Sequence, residues 1–448
     1  MLGETRIKKI TNAILTRSSA DQTEVVILAG DDALTRFANS TIHQNVAVTD
    51  TEVRIRVVLG SQVGVATTNN LDEEALVQTL ESAMAIARLL PENPYFKSLP
   101  GPQRLPKVTA FSEATAGCTP EDRAKRVGII CMKAHSDGIV ASGALSTSTL
   151  EIGVENSLGT YAYFPTTYAD INTVIMSDTS AGYASALALD INDLDFEAIG
   201  AEAVNKCLRS KDPRPLDPGA YTVILEPYAV QDFIQMMSYN GFSALAMQES
   251  RSFMVGKIGQ QIVDPRISVW DDGQDPAGIP LPFDFEGVPK HRVDLIEKGI
   301  ARGVVYDSYH AGKEEDKTST GHALPAPNAF GPLPINLFLA PGSSTLEDMI
   351  QSTKRGVYVT RFHYTRPVEP TKVVITGMTR DGTFLIENGE IACPVKNLRF
   401  TQSYLEALNT VEMIGKDSRL LTGLTSIARD SVPTLKLGAF TFTGATEF

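Results

Sequence analysis

Hydrophobic positions in the first half of the chain follow both helical and strand spacings. Ile7, Ile10 and Ile14 recur every three to four residues, which is typical of an amphipathic helix. Residues 53–57 (VRIRV) alternate apolar and charged side chains, as a strand with one buried face does. The pattern predicts further strands at 24–29, 147–154 and 160–176, and helices at 70–90, 119–138 and 195–209. An N-terminal domain of mixed α and β structure is expected.

Short apolar runs separated by Gly, Pro and Asp dominate the second half. Within 264–322 this pattern predicts consecutive antiparallel strands at 267–270, 293–296 and 304–306, with a hairpin turn at Gly299. A mostly apolar stretch at 228–248 predicts one long helix, packed into the core. Other strands are predicted at 221–225, 336–340, 356–361, 372–376, 383–386, 390–392 and 434–442. Two more helices are predicted, one capped by Ser343 or Ser344 and running through Gln351, and one within 398–414. The second half is therefore expected to form a strand-rich C-terminal domain, either barrel-like or sandwich-like.

The best domain boundary lies at 211–219 (KDPRPLDPG), where Pro, Gly and charged residues occur together. A chain of 448 residues is too long for one ordinary hydrophobic core. We therefore expect an α+β protein with an N-terminal domain at 1–215 and a strand-rich C-terminal domain at 216–448.

Composition narrows the classes of partner and the compartment. The formal net charge of −13 argues against nucleic-acid binding, which needs clustered Lys and Arg. No apolar run approaches the ~20 residues of a membrane span, and the first residues lack the apolar core of a signal peptide. The four cysteines form no CxxC pair and are expected to be free thiols. A cytoplasmic protein with neither a nucleic-acid nor a membrane partner is predicted.

The residues alone assign no catalytic or metal-binding group. The six histidines are nowhere one helical turn apart, and GxSxG, GxGxxG and Walker A patterns are absent. Thr320 and His322 would share a strand face, but a plain turn is the simpler interpretation of this segment. The acids Asp271, Asp272, Asp284 and Glu286 offer oxygen ligands for a divalent cation, although acids in strand turns are usually only solvated.

Several short motifs occur together in a characteristic order. They are TRFANSTIHQNV at 35–46, NSLGTYA at 156–162, FDFEGVP at 283–289, DLIEKGIARG at 294–303, STGHA at 319–323, KRGVYV at 354–359, ENGEIACPVKNL at 387–398 and IGKD at 414–417. Each motif is weakly specific by itself. In this order and spacing, the chain resembles the TldD/PmbA (modulator of DNA gyrase) family over nearly its whole length.

The resemblance implies a role in proteolysis. The family's two branches form TldD/TldE heterodimeric zinc metallopeptidases that degrade unstructured peptides and trim leader peptides. The TldD branch carries HExxxH on the helix after the first strand of the C-terminal domain, with a Cys near the C-terminus as third zinc ligand. Here residues 231–250 hold no His, and the last cysteine is Cys393. The chain therefore looks like the TldE/PmbA branch, and zinc is expected only in a TldD-type partner.

A subunit of this kind is expected to bind unfolded peptide mainly through the backbone. Its working form would be a heterodimer with an HExxxH-bearing TldD-like protein, or a homodimer. Two alternatives stay open: an autonomous hydrolase with its site among Asp284, Glu286, His291 and His322, or a dimeric binding protein that cleaves nothing. The candidate peptide-binding residues are Arg36, Asn39, His43, Gln44, Asp284, Glu286, His291, Thr320 and His322.

Overall fold

The computed structural model describes residues 1–425 and 427–446. Its N-terminal part consists of α1 (Glu4–Arg17), β1 (Gln22–Ala38), β2 (Thr41–Leu59), β3 (Gln62–Thr68), α2 (Glu73–Leu89), α3 (Glu113–Ala116), α4 (Pro120–Ser136), β4 (Val140–Asn156), β5 (Tyr161–Met176), β6 (Ala181–Ala188) and α5 (Phe196–Arg209). A single turn of 3-10 helix at Ile191–Asp193 precedes α5. The predicted start of α4 is confirmed, because Thr119 and Asp122 form a capping box before Pro120.

The N-terminal strands form one antiparallel sheet in the order β3-β2-β1-β4-β5-β6. Alternate residues of β1 point to opposite faces of this sheet. Val25 and Ile27 belong to the core under α1 and α2, whereas Val26 belongs to a core shared with the C-terminal half. In that shared core Phe164 of β5 meets Phe283 edge to face, with ring centroids 6.4 Å apart. The sheet is therefore covered by helices on one face and by the second half of the chain on the other.

The C-terminal part begins after the predicted linker. It consists of β7 (Gly219–Leu225), α6 (Pro227–Gly241), α7 (Ala244–Gln248), β8 (Val269–Asp271), β9 (Val293–Glu297), β10 (Ile300–Ala301), α8 (Ser308–Ala311), β11 (Asn336–Leu339), α9 (Leu346–Gln351), β12 (Arg355–Glu369), β13 (Val374–Glu387), β14 (Glu390–Pro394), β15 (Leu398–Ser403), α10 (Tyr404–Leu408), β16 (Val411–Thr422) and β17 (Arg429–Ala445). The chain passes from the N-terminal sheet to the C-terminal sheet between α5 and β7. A domain boundary at 215/216 lies in this connection and stays a prediction.

A ring of five strands closes within the C-terminal sheet. β7 pairs with β12, β12 with β13, β13 with β15, β15 with β17, and β17 again with β7. The remaining strands extend from this ring, with β11, β8, β9 and β10 continuing from β17. α6 packs on the ring through Phe233, whose ring centroid lies 6.3 Å from those of Phe362 on β12 and Phe440 on β17. The α+β class, with two domains and a barrel-like C-terminal domain, is confirmed.

Several predicted elements need correction. The helix predicted over 228–248 is interrupted after Gly241 and becomes α6 and α7. The strand predicted at 304–306 is only an isolated bridge at Val305. The strands predicted at 372–376 and 383–386 are parts of one strand, β13, and the long strand β16 was not predicted. The bounds of β13 and β16 are set by pairing with partner strands, β13 with β12 and β15 and β16 with β17, and not by the local pattern alone. No helix in the described ranges is long and apolar enough to cross a membrane.

Candidate functional site

The hairpin between β1 and β2 carries the first four predicted peptide-binding residues. Its turn is formed by Asn39 and Ser40, whose φ angles of 50° and 57° suit a two-residue type I′ turn. Arg36 lies opposite Gln44 across the hairpin. Arg36, Asn39, His43 and Gln44 are all exposed, so their side chains are accessible to a ligand.

The outer edge of β2 is open beside this hairpin. β3 pairs only with residues 53–59 of β2, and across the described parts of the chain no other strand pairs with the outer edge of 41–52. Residues 41–50 are exposed except for the half-buried Val46. A strand edge of this kind offers unpaired N–H and C=O groups to which an extended chain can add.

Asp284, by contrast, is only 2% exposed and shapes a turn. Its Oδ1 accepts hydrogen bonds from the backbone N–H groups of Glu286 (2.9 Å) and Val288 (3.0 Å), and its Oδ2 accepts one from Ala323 (2.9 Å). Burial and the nearby Glu286 carboxylate raise the pKa of Asp284. Its oxygens are already used by the backbone that surrounds them.

Glu286 joins the C-terminal domain to the N-terminal sheet. Its Oε1 accepts from Arg56 Nη1 at 3.0 Å, and Arg56 Nη2 also donates to Glu24 Oε2 at 2.7 Å. The side chains of these three residues are at most 12% exposed. The backbone N–H of Ser308 donates to the second oxygen of Glu286. The network is an interdomain contact and not a groove wall.

His322 belongs to a buried polar cluster. Its Nε2 lies 2.7 Å from Asp271 Oδ1 and its Nδ1 lies 2.9 Å from Thr320 Oγ1. Burial, together with the charge of Lys290, lowers the pKa of His322 and keeps the imidazole neutral at pH 7. The hydroxyl of Thr320, the imidazole of His322 and the carboxylate of Asp271 thus follow one another as the groups of a catalytic triad do. The side chains of Asp271 and His322 have no exposed surface, however, so a substrate does not reach them.

The hairpin residues and the residues around Asp284–His322 were expected to form one peptide-binding surface, but the structure separates these two groups. At about 3.3 Å per residue, the stretch of β2 from Gln44 to Arg56 is roughly 40 Å long, so the hairpin and the Glu286 contact lie far apart along the strand. Asp284, Glu286 and His322 are buried, His291 is exposed and Thr320 is half-buried. Peptide binding stays a prediction for the accessible residues, whereas the three buried ones have partners within the fold.

A polar cavity of about 380 Å³ lies where the N-terminal sheet meets the C-terminal barrel. We call it the α6 cavity, because one helix supplies a third of its wall. Its volume is that of a small-ligand site. Its walls consist of Asp170, Asn172, Tyr183 and Ser185 from the N-terminal sheet, Tyr228, Gln231, Asp232 and Gln235 from α6, and Arg361, Phe362, Leu421 and Thr422 from β12 and β16.

Two glutamines of α6 hold one buried carboxylate beside this cavity. The Nε2 atoms of Gln231 and Gln235 each lie 2.9 Å from Oδ2 of Asp430, on β17. Gln231 also donates to the backbone oxygen of Thr422 at 2.7 Å. Asp430 is 1% exposed, and burial raises its pKa to about 6. The amide pair therefore fixes an acid that is partly protonated near neutral pH.

Two further acids line the cavity. Asp232 accepts hydrogen bonds from Thr365 at 2.7 Å and from the hydroxyl of Tyr404, and burial raises its pKa to about 6. Burial also raises the pKa of Asp170, which accepts from Thr422 Oγ1 at 2.5 Å. Acids with raised pKa values in a cavity are a common mark of a functional site.

Arginines stabilise the opposite wall. The guanidinium of Arg361 lies 4.2 Å from the ring centroid of Tyr183, and its Nε donates to Asp381 at 2.6 Å. Arg419 donates to Glu202 of α5 at 2.9 Å, which joins β16 to the N-terminal domain. The cavity thus offers carboxyl, amide and hydroxyl groups on a rigid wall, suited to peptide groups that both donate and accept hydrogen bonds.

Comparison with known proteins places this architecture in a family. The family domain described as "PmbA/TldA metallopeptidase C-terminal domain" matches residues 218–444, and "PmbA/TldA metallopeptidase domain 1" matches residues 23–87. The chain belongs to the PmbA/TldD family. The first of these matches begins just before β7, so α6 follows the first strand of the family's C-terminal domain.

Individual members agree with this assignment. A metalloprotease of Methanothermobacter thermautotrophicus is 27% identical over 243 residues, covering 53% of this chain and 52% of that protein, so the match spans about half of each. A TldD-homologous metalloprotease of Haemophilus influenzae is 25% identical over 400 residues, covering 84% of this chain and 81% of that protein. The crystal structure of TldE from Thermococcus kodakarensis has the same fold, with a TM-score of 0.88 and 21% identity over 98% of this chain and 99% of that one.

Members of the PmbA/TldD family are metallopeptidase-related, which makes the fit of the α6 cavity to zinc a question of its ligands. Zinc sites in proteins use imidazole, thiolate and carboxylate ligands. Here Gln231 and Gln235 direct N–H groups, which are not metal ligands, at Asp430. Among the residues that the structure describes, no group of three His, Cys, Asp or Glu side chains is placed to hold a metal ion. The residues of the cavity do not fit zinc, and a chain without zinc remains a prediction.

The sequence reasoning missed the α6 cavity. One signal was present: Gln231, Asp232 and Gln235 are polar residues near the start of an otherwise apolar helix, and the i, i+4 spacing puts the glutamines on one face. The apolar majority of the segment nevertheless favours a core helix. Asp170 reaches the cavity, and Asp430 lies beside it, from strands distant in sequence from α6, and no local pattern marks them.

Proposed function

We propose that this chain is the TldE/PmbA-like subunit of a cytoplasmic TldD/TldE-type zinc metallopeptidase that acts on unstructured peptides. A TldD-type partner holds the zinc, and this chain guides the peptide or supports the partner. The arrangement of α6 carries the proposal: the helix on which the catalytic branch is expected to carry HExxxH here presents Gln231 and Gln235, bonded to Asp430. A heterodimer is the proposed working form, and a homodimer is the alternative.

The open edge of β2 is the proposed peptide contact. Backbone hydrogen bonds to a strand edge tolerate many peptide sequences, which suits an unfolded substrate. Arg36 would bind a peptide carboxylate, and Asn39, His43 and Gln44 would add polar contacts at the hairpin. Their exposure supports this role.

Reconstitution tests the proposal. The chain and an HExxxH-bearing TldD-type protein of the same source are purified separately and together, and cleavage of a fluorescent unstructured peptide is followed. We expect cleavage only by the mixture, loss of cleavage with a zinc chelator, and recovery on adding zinc. Light scattering should show a complex of the two chains. Equal cleavage by the partner alone, without complex formation, would contradict the proposal.

The α6 cavity also favours a second candidate function, an autonomous acid–base hydrolase. Asp232, which lines the cavity, has a pKa of about 6, in the range where a carboxyl group serves as acid or base near neutral pH. This candidate predicts chelator-insensitive cleavage by the purified chain alone. Asp232→Asn should abolish that cleavage, while Asp272→Asn, which lies outside the cavity, should leave it unchanged.

A further inference from the structure

A second cavity, of about 540 Å³, lies beside the connection between the two domains. One wall comes from the turn between β5 and β6 and from the residues after α5. The other comes from β13 and from residues 395–397, which connect β14 to β15. We call it the linker cavity. It shares no lining residue with the α6 cavity.

The two walls of the linker cavity carry opposite charges. Asp178 and Asp212 lie on the N-terminal wall, and both residues are exposed. Asp212 is oriented by Thr179, whose Oγ1 donates to Asp212 Oδ1 at 3.3 Å. Arg380 and Lys396 lie on the C-terminal wall. A ligand that spans the cavity therefore meets acids at one end and bases at the other.

A third acid, Asp381, lies on the basic wall but is neutralised by another residue. Arg361 Nε donates to Asp381 Oδ2 at 2.6 Å. Arg380 is farther away, with its Nε 3.7 Å from Asp381 Oδ1, and its side chain is 44% exposed. The guanidinium of Arg380 is therefore accessible to an anionic group in the cavity.

Each wall also contains a buried hydroxyl without a hydrogen-bond partner among the described residues. Ser210 is 7% exposed and Thr383 is 2% exposed, and within the described part of the chain neither Oγ atom is hydrogen-bonded. An unsatisfied buried hydroxyl costs about 1–3 kcal/mol, so proteins seldom leave two beside one cavity without a use for them. Each of these hydroxyls can both donate and accept a hydrogen bond.

We propose that the linker cavity binds a small zwitterion, of the size of a free amino acid or a dipeptide. Its ammonium group lies at Asp178 and Asp212, and its carboxylate lies at Arg380. The volume of the cavity is within the range of small-molecule sites. A ligand bound to both walls holds the two domains together and raises the melting temperature of the chain. The proposal requires neither zinc nor a partner subunit and is independent of the peptidase function.

Calorimetry and thermal unfolding of the full chain test this proposal. Free amino acids and dipeptides are compared at about 10 mM with N-acetylated and C-amidated forms of the same compounds. We expect one or more zwitterions to raise the melting temperature by a few degrees. Blocking either end should weaken binding at least about tenfold, because it removes one charged contact. The two ligand series distinguish a free amino acid from a dipeptide.

Variants locate the site. Arg380→Gln and Asp178→Asn should each weaken binding about tenfold or more. Lys211→Gln, an exposed change outside the cavity, should not alter it. Thr383→Val keeps the side-chain volume and tests the site even if a charge variant fails to fold; weaker binding in a stably folded chain is expected. The proposal is wrong if no zwitterion binds at about 10 mM, if blocked compounds bind equally well, or if these variants bind like the unaltered chain.

Discussion

The buried pair of Lys290 and Asp271 allows a direct test of how the C-terminal domain is stabilised. Lys290 Nζ lies 3.3 Å from Asp271 Oδ1, and both side chains are fully buried. The aliphatic part of Lys290 packs against Gly273, so Lys290→Met keeps most of this packing. The variant leaves a buried carboxylate without its charged partner. The expected loss in the free energy of unfolding is about 3–5 kcal/mol at neutral pH.

The loss should depend on pH. Burial alone would raise the pKa of Asp271, but Lys290 and His322 lower it to about 2. Because this folded pKa lies below the ordinary value of 3.8, Asp271 contributes about 2 kcal/mol at neutral pH, and this is lost as the pH falls from about 4 to 2. His322 also has a lowered pKa, so the unaltered chain loses stability as the pH falls below about 6.5. Without Lys290 the pKa of His322 should rise, and an imidazolium would then partly replace the missing cation.

Urea unfolding followed by circular dichroism, at about pH 8 and about pH 5.5, measures both effects. The destabilisation by Lys290→Met should be largest at the higher pH and smaller at the lower one. Lys257→Met, at an exposed position, is the matched control and should change stability by less than about 0.5 kcal/mol. Adding Asp271→Asn to Lys290→Met should recover part of the loss, because the unpaired charge is removed. A loss no greater than that of the control, or one that is equal at both pH values, would refute this reasoning.

Four other predictions follow from the structure and the proposed function. Arg56→Met should lower thermal stability by far more than Arg17→Met, because the first leaves two buried glutamates unpaired and the second breaks an exposed ion pair; differential scanning calorimetry compares them. Arg36→Ala with Asn39→Ala should weaken partner-assisted peptide cleavage at unchanged melting temperature and dimerisation, whereas earlier melting with intact peptide binding would make these residues structural. Thr119→Ala should cost about 1 kcal/mol in urea unfolding, because it removes the cap of α4. Elemental analysis after dialysis should find no stoichiometric zinc in the purified chain, and about one zinc per chain would overturn that expectation.

Elements with strong local signals were predicted well from the sequence. The periodicity of Ile7, Ile10 and Ile14 identified α1, and Thr119 with Pro120 fixed the start of α4. These signals are contained in a few neighbouring residues, so they survive folding unchanged. The strand β16 is defined by its pairing with β17, and the continuity of β13 is defined by its pairing with β12 and β15. A local pattern does not contain that information.

The candidate site was harder to predict for the same reason. Asp284 and His322 occur among turn residues and look solvated in the sequence, yet both are buried. The interaction of Glu286 with Arg56 joins residues from the two domains. Only the three-dimensional topology shows that these groups stabilise the fold. The exposure of Arg36 and its neighbours, in contrast, was consistent with a hairpin rich in polar residues.

The polar wall of the α6 cavity supports a role beyond filling space. Removing the carboxylates of Asp430 and Asp232 from water costs free energy. The hydrogen bonds from Gln231 and Gln235 to Asp430, and from Tyr404 to Asp232, offset this cost only in part, because the pKa values of both acids remain raised. Apolar residues of similar volume at these positions would stabilise a purely structural helix better. A wall of amides and acids is instead suited to groups that pass or bind there, such as the amides of a peptide backbone. In the proposed guiding subunit this cavity would bind peptide groups in addition to the open edge of β2, and the chemistry of cleavage would take place at the zinc of its partner.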